Sequence, residues 1–256
     1  MGTFAGRKLI AIGGSSGMGR QAAADVVEAG GSAVIVGRNG ERVAETVDLL
    51  SRNGKAWGIT ADLANRDEVR RVEDALASEH ADATLLVNSA GVNMAGIKLV
   101  DMALAHFDRV VRTDLYGPFL TCRRFARPLV AAGMRGRIVN ISSIHERAPR
   151  AGAAGYDAAK GGLAQLTATL ALELAPLGIA VNGVAPGMIL TPMNARALAD
   201  VAFRREREAF IPWGRAGRAE EVAELVTFLL SPAADYITGA TVTIDGGLSL
   251  VVAPGA

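Results

Sequence analysis

Short runs of β-branched and aliphatic residues alternate with stretches of helical spacing along almost the whole chain. LIAI (9–12), AVIV (33–36), AWGIT (56–60), TLLVN (84–88), RIVNIS (137–142), AVNGVA (180–185) and TVTID (241–245) predict seven strands. Between them, apolar positions such as Val43, Val47, Leu50 and Val69, Val72, Leu76 recur at the spacing of one helix face. Several strands are apolar without alternation, as expected for a sheet covered on both faces. Strand–helix alternation of this kind predicts an α/β fold: one doubly wound, mainly parallel seven-stranded sheet with helices on both faces. No repeat, linker or composition shift divides the chain, so residues 1–256 read as a single domain.

One segment breaks the rhythm. Residues 187–218 hold Pro192, Pro212 and arginines at 196, 204, 205, 207, 215 and 218, just after the sixth predicted strand. Ligands bind such sheets near the carboxyl ends of their strands, so this segment reads either as a substrate lid or as a solvated helix face.

Composition narrows the function classes. The chain is 50% apolar with a formal net charge of +1. It lacks the concentrated basic surface that grips nucleic acid. No stretch reaches the ~18 apolar residues of a membrane span. Gly2 resembles a myristoylation start, but Gly6 stands where that motif requires Ser or Thr. The single Cys122 forms no internal disulfide. Together these features predict a cytoplasmic protein.

The first predicted strand runs into IGGSSGMGR, with Gly13, Gly17 and Gly19 spaced G-x3-G-x-G ahead of a helix. Glycines let backbone approach a pyrophosphate, whose charge the helix amides then meet. Residues 13–17 also satisfy G-x-S-x-G, a hydrolase nucleophile elbow. That reading needs a histidine base later in the chain, and the three histidines are His80, His106 and His145. The second strand ends VIVGRNGER, with Gly37 and Arg38 where a carboxylate would hold the ribose of NAD. Arginine at that point suits the extra phosphate of NADP, although Ser16 adds no second basic group. The cofactor expected is therefore NADP(H), with NAD(H) as the alternative.

In RIVNISSIHERAPRAGAAGYDAAKGG, Tyr156 and Lys160 stand one helical turn apart, and Ser143 lies 13 residues before the tyrosine. A phenol titrates near pH ~10, and an adjacent ammonium favours its ionised form. With the glycine loop, ADL (61–63), NSAG (88–91), PGMILTP (186–192) and DGG (245–247), these residues resemble the classical short-chain dehydrogenase/reductase family from Gly13 to Gly247.

The resemblance implies a carbonyl/secondary-alcohol oxidoreductase and assigns roles. Tyr156 exchanges the proton, Lys160 holds the nicotinamide ribose and charges the site, and Ser143 donates a hydrogen bond to the substrate oxygen. Gly13, Ser15, Ser16, Gly17, Met18 and Gly19 form the phosphate loop. Asp62 and Leu63 lie beside adenine, and Asn88, Ala90 and Gly91 line the dinucleotide cleft. Pro186, Gly187, Ile189 and Thr191 surround the nicotinamide end. The partners implied are a small carbonyl or alcohol substrate and further copies of the chain, as a tetramer or dimer.

Three positions depart from the family pattern. Ile12 stands in place of Thr, Ser89 in place of Asn, and Asp114 where an Asn supports a water relay to the lysine. Asp114 motivates a non-enzyme alternative, a dinucleotide-binding sensor with weakened chemistry. Ser143-Ile144-His145-Glu146 resembles glucose dehydrogenases of the family, so His145 and Glu146 are candidate ligands for sugar hydroxyls. A sugar or polyol dehydrogenase linked to NAD is therefore the alternative enzyme. A ketoacyl reductase would share every cofactor residue. No metal cluster accompanies His145.

Overall fold

The computed structural model describes residues 2–93 and 95–251. Its strands and helices are β1 (Lys8–Ile12), α1 (Gly17–Glu28), β2 (Ser32–Gly37), α2 (Gly40–Leu50), β3 (Lys55–Thr60), α3 (Arg66–Ser78) and β4 (Leu85–Asn88). Then come α4 (Leu104–Val111), α5 (Gly117–Ala131), β5 (Gly136–Ile141), α6 (Ala154–Leu174) and β6 (Ile179–Pro186). The chain continues through β7 (Ile189–Leu190), α7 (Ala195–Ala199), α8 (Val201–Glu208), β8 (Gly217–Arg218), α9 (Ala219–Leu230) and β9 (Thr241–Ile244).

Seven strands form one sheet in the order β3-β2-β1-β4-β5-β6-β9, parallel at every pairing. The expected mainly parallel sheet is thus entirely parallel. The order reverses between β1 and β4, which opens a crevice at their carboxyl ends.

Alternate residues of β1 feed opposite cores. Leu9 and Ala11 pack with α1, α2 and α9, whereas Ile10 and Ile12 pack with α3 and α5. Central strands buried on both faces explain the unbroken apolar runs: all six residues of β5 are buried. The edge strand β3 instead alternates between exposed and half-buried positions.

Two features of the helices position the site. Residues Arg112–Tyr116, between α4 and α5, form a π-helical turn that the apolar spacing did not reveal. The small-residue run in α6 lets that helix pack closely on it. A Cβ on Gly162 would stand 2.9 Å from Leu115, and one on Gly155 3.3 Å from Phe107.

Segment 187–218 is ordered into β7, α7, α8 and β8, with β7 and β8 paired as a small parallel sheet. Most of its arginines are used locally. Arg196 and Arg207 stack on Phe203 at 4.0 and 5.2 Å. Arg204 faces Glu208, and Arg215 and Arg218 both meet Glu221.

Candidate active site

The glycine loop and its helix make an anion cradle. A Cβ on Gly13 would lie 2.5 Å from the Ala90 amide nitrogen, so this backbone approach tolerates only glycine. Gly17 takes a φ of +54° beneath Thr191. Gly19 serves packing, since its Cβ would meet the Gly13 carbonyl at 2.6 Å. Helices α2 and α3 are capped by Asn39 and Asn65 and carry acids in their first turns. Helix α1 has neither a side-chain cap nor an acid there. Its amino-terminal amides are thus left for an external anion, and the loop fits the pyrophosphate of a dinucleotide.

A cleft of about 400 Å³ opens above this cradle. It is lined by Gly13, Ser15, Ser16, Gly17 and Met18, by Arg38, Asp62 and Leu63, and by Ala90, Gly91 and Thr191. Arg38 is exposed at the end of β2, and among the described residues it makes no ion pair. Gly37 leaves no room for a carboxylate beside it, because a Cβ there would stand 2.5 Å from Ser15 Oγ. Arg42, one turn into α2, lines the same end. Arg42, four positions after Arg38, thus supplies the second basic group that Ser16 does not. Ser89, Asn93 and Met193 also line the cleft and were not anticipated.

Some of the residues expected around the cofactor lie outside this lining. The Asn88 side chain does not line the cleft but is buried beneath it. There it donates to Asn140 Oδ1 at 2.9 Å and accepts from Thr121 Oγ1 at 2.7 Å. Asn140 in turn donates to Thr167 Oγ1 at 2.9 Å, so one polar chain ties β4, β5, α5 and α6 together. Polar groups this deep need such mutual satisfaction. Of the four residues expected at the nicotinamide end, Thr191 alone lines the cleft. Pro186 and Ile189 are buried, and Gly187 packs on β9, where a Cβ would lie 2.6 Å from that of Asp245.

Ser143, Tyr156 and Lys160 are brought together in a buried group. Ser143 follows β5 and its Oγ accepts from the His145 amide at 3.2 Å. Tyr156 and Lys160 share a face of α6, with Lys160 Nζ 5.6 Å from the phenol ring centre. The ammonium donates to the Ile141 carbonyl at 3.0 Å, which anchors it to β5.

Asp114 enters the same group. Its carboxylate is fully buried on the π-helical turn. Oδ1 accepts from the Val92 amide at 2.8 Å, and Oδ2 lies 3.5 Å from Lys160 Nζ. Burial pushes the Asp114 carboxyl above its usual range, and Lys160 pulls it back down. The departure from the family pattern therefore puts a side chain, not only a backbone carbonyl, beside the lysine.

The two substrate candidates part company. His145 stands edge-on to Tyr156 with ring centres 6.1 Å apart, and its Nδ1 meets the Ala148 carbonyl at 2.8 Å. In the neutral ring that contact makes Nδ1 the donor and leaves Nε2 free to accept. Glu146 is enclosed, with its side chain only 2% exposed. No helix among the described residues is long and apolar enough to cross a membrane.

Residues 12–249 match the family described as enoyl-(acyl carrier protein) reductase. The glucose 1-dehydrogenase of Gluconobacter oxydans is 33% identical over 96% of this chain and 93% of its own length. The 3beta-hydroxysteroid dehydrogenase 1 of Eggerthella lenta is 36% identical over 96% and 94%. Among solved structures, a gluconate 5-dehydrogenase from Burkholderia cenocepacia, in complex with NADP and tartrate, superposes with a TM-score of 0.89 at 31% identity, covering 97% of each chain. The Rossmann-type sheet, the glycine cradle and these relatives agree: the chain belongs to the classical short-chain dehydrogenase/reductase family of NAD(P)-dependent oxidoreductases acting on CH–OH and C=O groups.

Proposed function

We propose that this protein is an NADP(H)-preferring reductase/dehydrogenase that interconverts a carbonyl and a secondary alcohol, with Tyr156 as its acid–base group. The observation that carries the cofactor preference is the basic end of the cleft. Arg38 and Arg42 line it without an ion-pair partner among the described residues, and Gly37 leaves no space for a competing acid. Two guanidinium groups match a 2′-phosphate and have little to gain from a bare ribose.

When bound, the nicotinamide supplies or accepts the hydride. The chain's own residues manage the proton and the charge. In reduction, Tyr156 Oη gives its proton to the substrate oxygen as negative charge builds there; in oxidation it takes that proton back. Ser143 Oγ donates to the same oxygen and so stabilises the charge where it develops. Lys160, held on the Ile141 carbonyl, sets its ammonium 5.6 Å from the centre of the phenol ring. Burial of all three side chains strengthens these interactions relative to water.

His145 supports a hydroxylated substrate, because its ring stands beside the tyrosine with Nδ1 already occupied and Nε2 left for a substrate hydroxyl. Relatives named for glucose and gluconate support the same class. The segment 191–193 reaches over the cleft, with Met193 Cε 3.6 Å from where a Cβ on Gly91 would stand. That is the part of the arginine-rich segment we assign to a lid. Assembly into dimers or tetramers and a cytoplasmic site of action complete the reading.

Steady-state turnover with NADPH and NADH over a panel of polyols, sugar acids and ketones tests it. Turnover that favours NADPH, and that Tyr156→Phe abolishes while cofactor still binds, is the expected result. A clear NADH preference defeats the arginine argument. Cofactor binding without turnover in the wild type would favour a sensor.

A further inference from the structure

A second cavity, of about 470 Å³, lies at the amino ends of the strands, on the opposite edge of the sheet from the catalytic group. Its charged lining consists of Arg7 before β1, Arg135 and Arg137 at the start of β5, and Asp235 before β9. Three guanidinium groups and one carboxylate thus line the same space.

The pairing is uneven. Arg137, whose side chain is 9% exposed, donates to Asp235 Oδ1 at 2.6 Å and to the Ala234 carbonyl at 3.1 Å. Arg135 reaches the same Oδ1 at 2.9 Å. Arg7 has only a neutral partner among the described residues, Thr84 Oγ1 at 3.3 Å from its Nε. Its terminal nitrogens therefore carry charge into the cavity without a counter-ion. Burial and the positive charges of Arg137 and Arg135 all push the Arg7 guanidinium below its ordinary range. Stapling the 232–238 loop to β5 accounts for Arg137 and Asp235. Arg135 adds a second, exposed contact to the same carboxylate, and Arg7, gathered into the same space against like charges, is left without such a role.

We propose that this cavity is a binding site for a small multivalent oxyanion, a compound bearing a phosphate group or clustered carboxylates, held by Arg7, Arg135 and Arg137. The net excess of two positive charges sets the charge of the ligand. Planar guanidinium forks suit the paired oxygens of phosphate and carboxylate alike. The site does not overlap the cofactor cleft. Arg137 and Ile141, the residue that anchors Lys160, are four positions apart on β5, or about 13 Å at ~3.3 Å per residue.

Calorimetric titration with pyrophosphate and with citrate, at fixed ionic strength, tests the site. The background is an Arg38→Gln/Arg42→Gln variant saturated with NADH, so that neither the glycine cradle nor the basic end of the dinucleotide cleft takes up the anion. The expected result is binding of one anion per chain that Arg7→Gln/Arg135→Gln, added to that background, weakens at least tenfold. Arg135→Gln alone, at a side chain 72% exposed, serves where the combined variant unfolds, and is expected to weaken binding severalfold. Tighter binding of pyrophosphate identifies a phosphate-bearing ligand, and tighter binding of citrate a polycarboxylate. No binding of either anion to the Arg38→Gln/Arg42→Gln background, or binding that the Arg7 and Arg135 changes leave untouched, overturns the proposal.

Discussion

Lys160 Nζ lies 3.5 Å from Asp114 Oδ2, so the ammonium beside the phenol shares its charge with a buried carboxylate. Among the described residues Lys160 is the one charged group within ion-pair distance of Asp114. In its ionised form Asp114 opposes the field that Lys160 exerts on Tyr156. Asparagine would keep the size of the side chain and remove the opposing charge. The Asp114→Asn enzyme is therefore expected to turn on at lower pH in the oxidative direction, with the acid limb of its kcat profile displaced. Superimposable profiles for the two enzymes would show that the carboxylate does not act on the proton transfer.

The same substitution has a consequence for stability. Burial raises the Asp114 carboxyl in the folded chain, so the folded state holds its proton at pH values where the unfolded state has released it. Stability contributed by the protonated form is complete below about pH 4, the ordinary aspartate value, and is lost as pH rises through the folded value. Asp114→Asn has no such loss. Its Tm minus that of the wild type should grow as pH rises from about 4, and a constant difference would contradict the assignment.

Gly37 constrains any attempt to change the cofactor. Family logic suggests that an acid at the end of β2 would confer NAD specificity. In this chain a Cβ on residue 37 would press to 2.5 Å on Ser15 Oγ and 3.0 Å on its Cβ, within the phosphate loop. Gly37→Asp is expected to weaken both cofactors, because the loop that holds their shared pyrophosphate must move. Arg38→Ala/Arg42→Ala should instead raise the KM for NADPH at least tenfold and leave NADH nearly unchanged. Equal losses for both cofactors in the arginine variant would show that the guanidinium groups do not read the 2′-phosphate.

The strands and the Ser143, Tyr156, Lys160 group were legible in the sequence for different reasons. Buried parallel strands are continuous apolar runs, and each of the seven appears within about two residues of its expected bounds. The proposed catalytic group is marked by spacing along one strand and one helix. What the sequence did not reveal depends on contacts between elements. The π-helical turn that carries Asp114 has no periodic signature, and the direction of the Asn88 side chain is decided by Asn140 and Thr121, both more than thirty positions away. The arginine density of 187–218 fits both a substrate lid and a solvated helix face. Phe203, Glu208 and Glu221 turn most of these arginines into local structure.

The polar chain beneath the cleft should be costly to break. Thr167 is 1% exposed; its Oγ1 accepts from Asn140 and donates to the Leu163 carbonyl at 2.8 Å. Valine would match its shape and leave the Asn140 amide unsatisfied, at a cost of about 1–3 kcal/mol. Urea unfolding should show that loss for Thr167→Val and a smaller one for Thr227→Val, whose hydroxyl meets only backbone carbonyls of its own helix. Equal losses at the two sites would mean that the network adds nothing beyond a helical threonine.

Cys122 belongs to this network and not to the chemistry. Its thiol is 1% exposed, receives the Asn88 amide at 3.3 Å and sits 3.7 Å from Asn140 Oδ1. Burial pushes it up to about 12, against which the two amide contacts act only weakly. Nucleophilic attack by sulfur needs the thiolate and an approach path, and this residue has neither at neutral pH. The native protein should leave Ellman's reagent unconsumed over hours, and one thiol per chain should appear in denaturant. Rapid labelling of the native enzyme would place the thiol outside the core and break the link between β4, β5 and α5 described above.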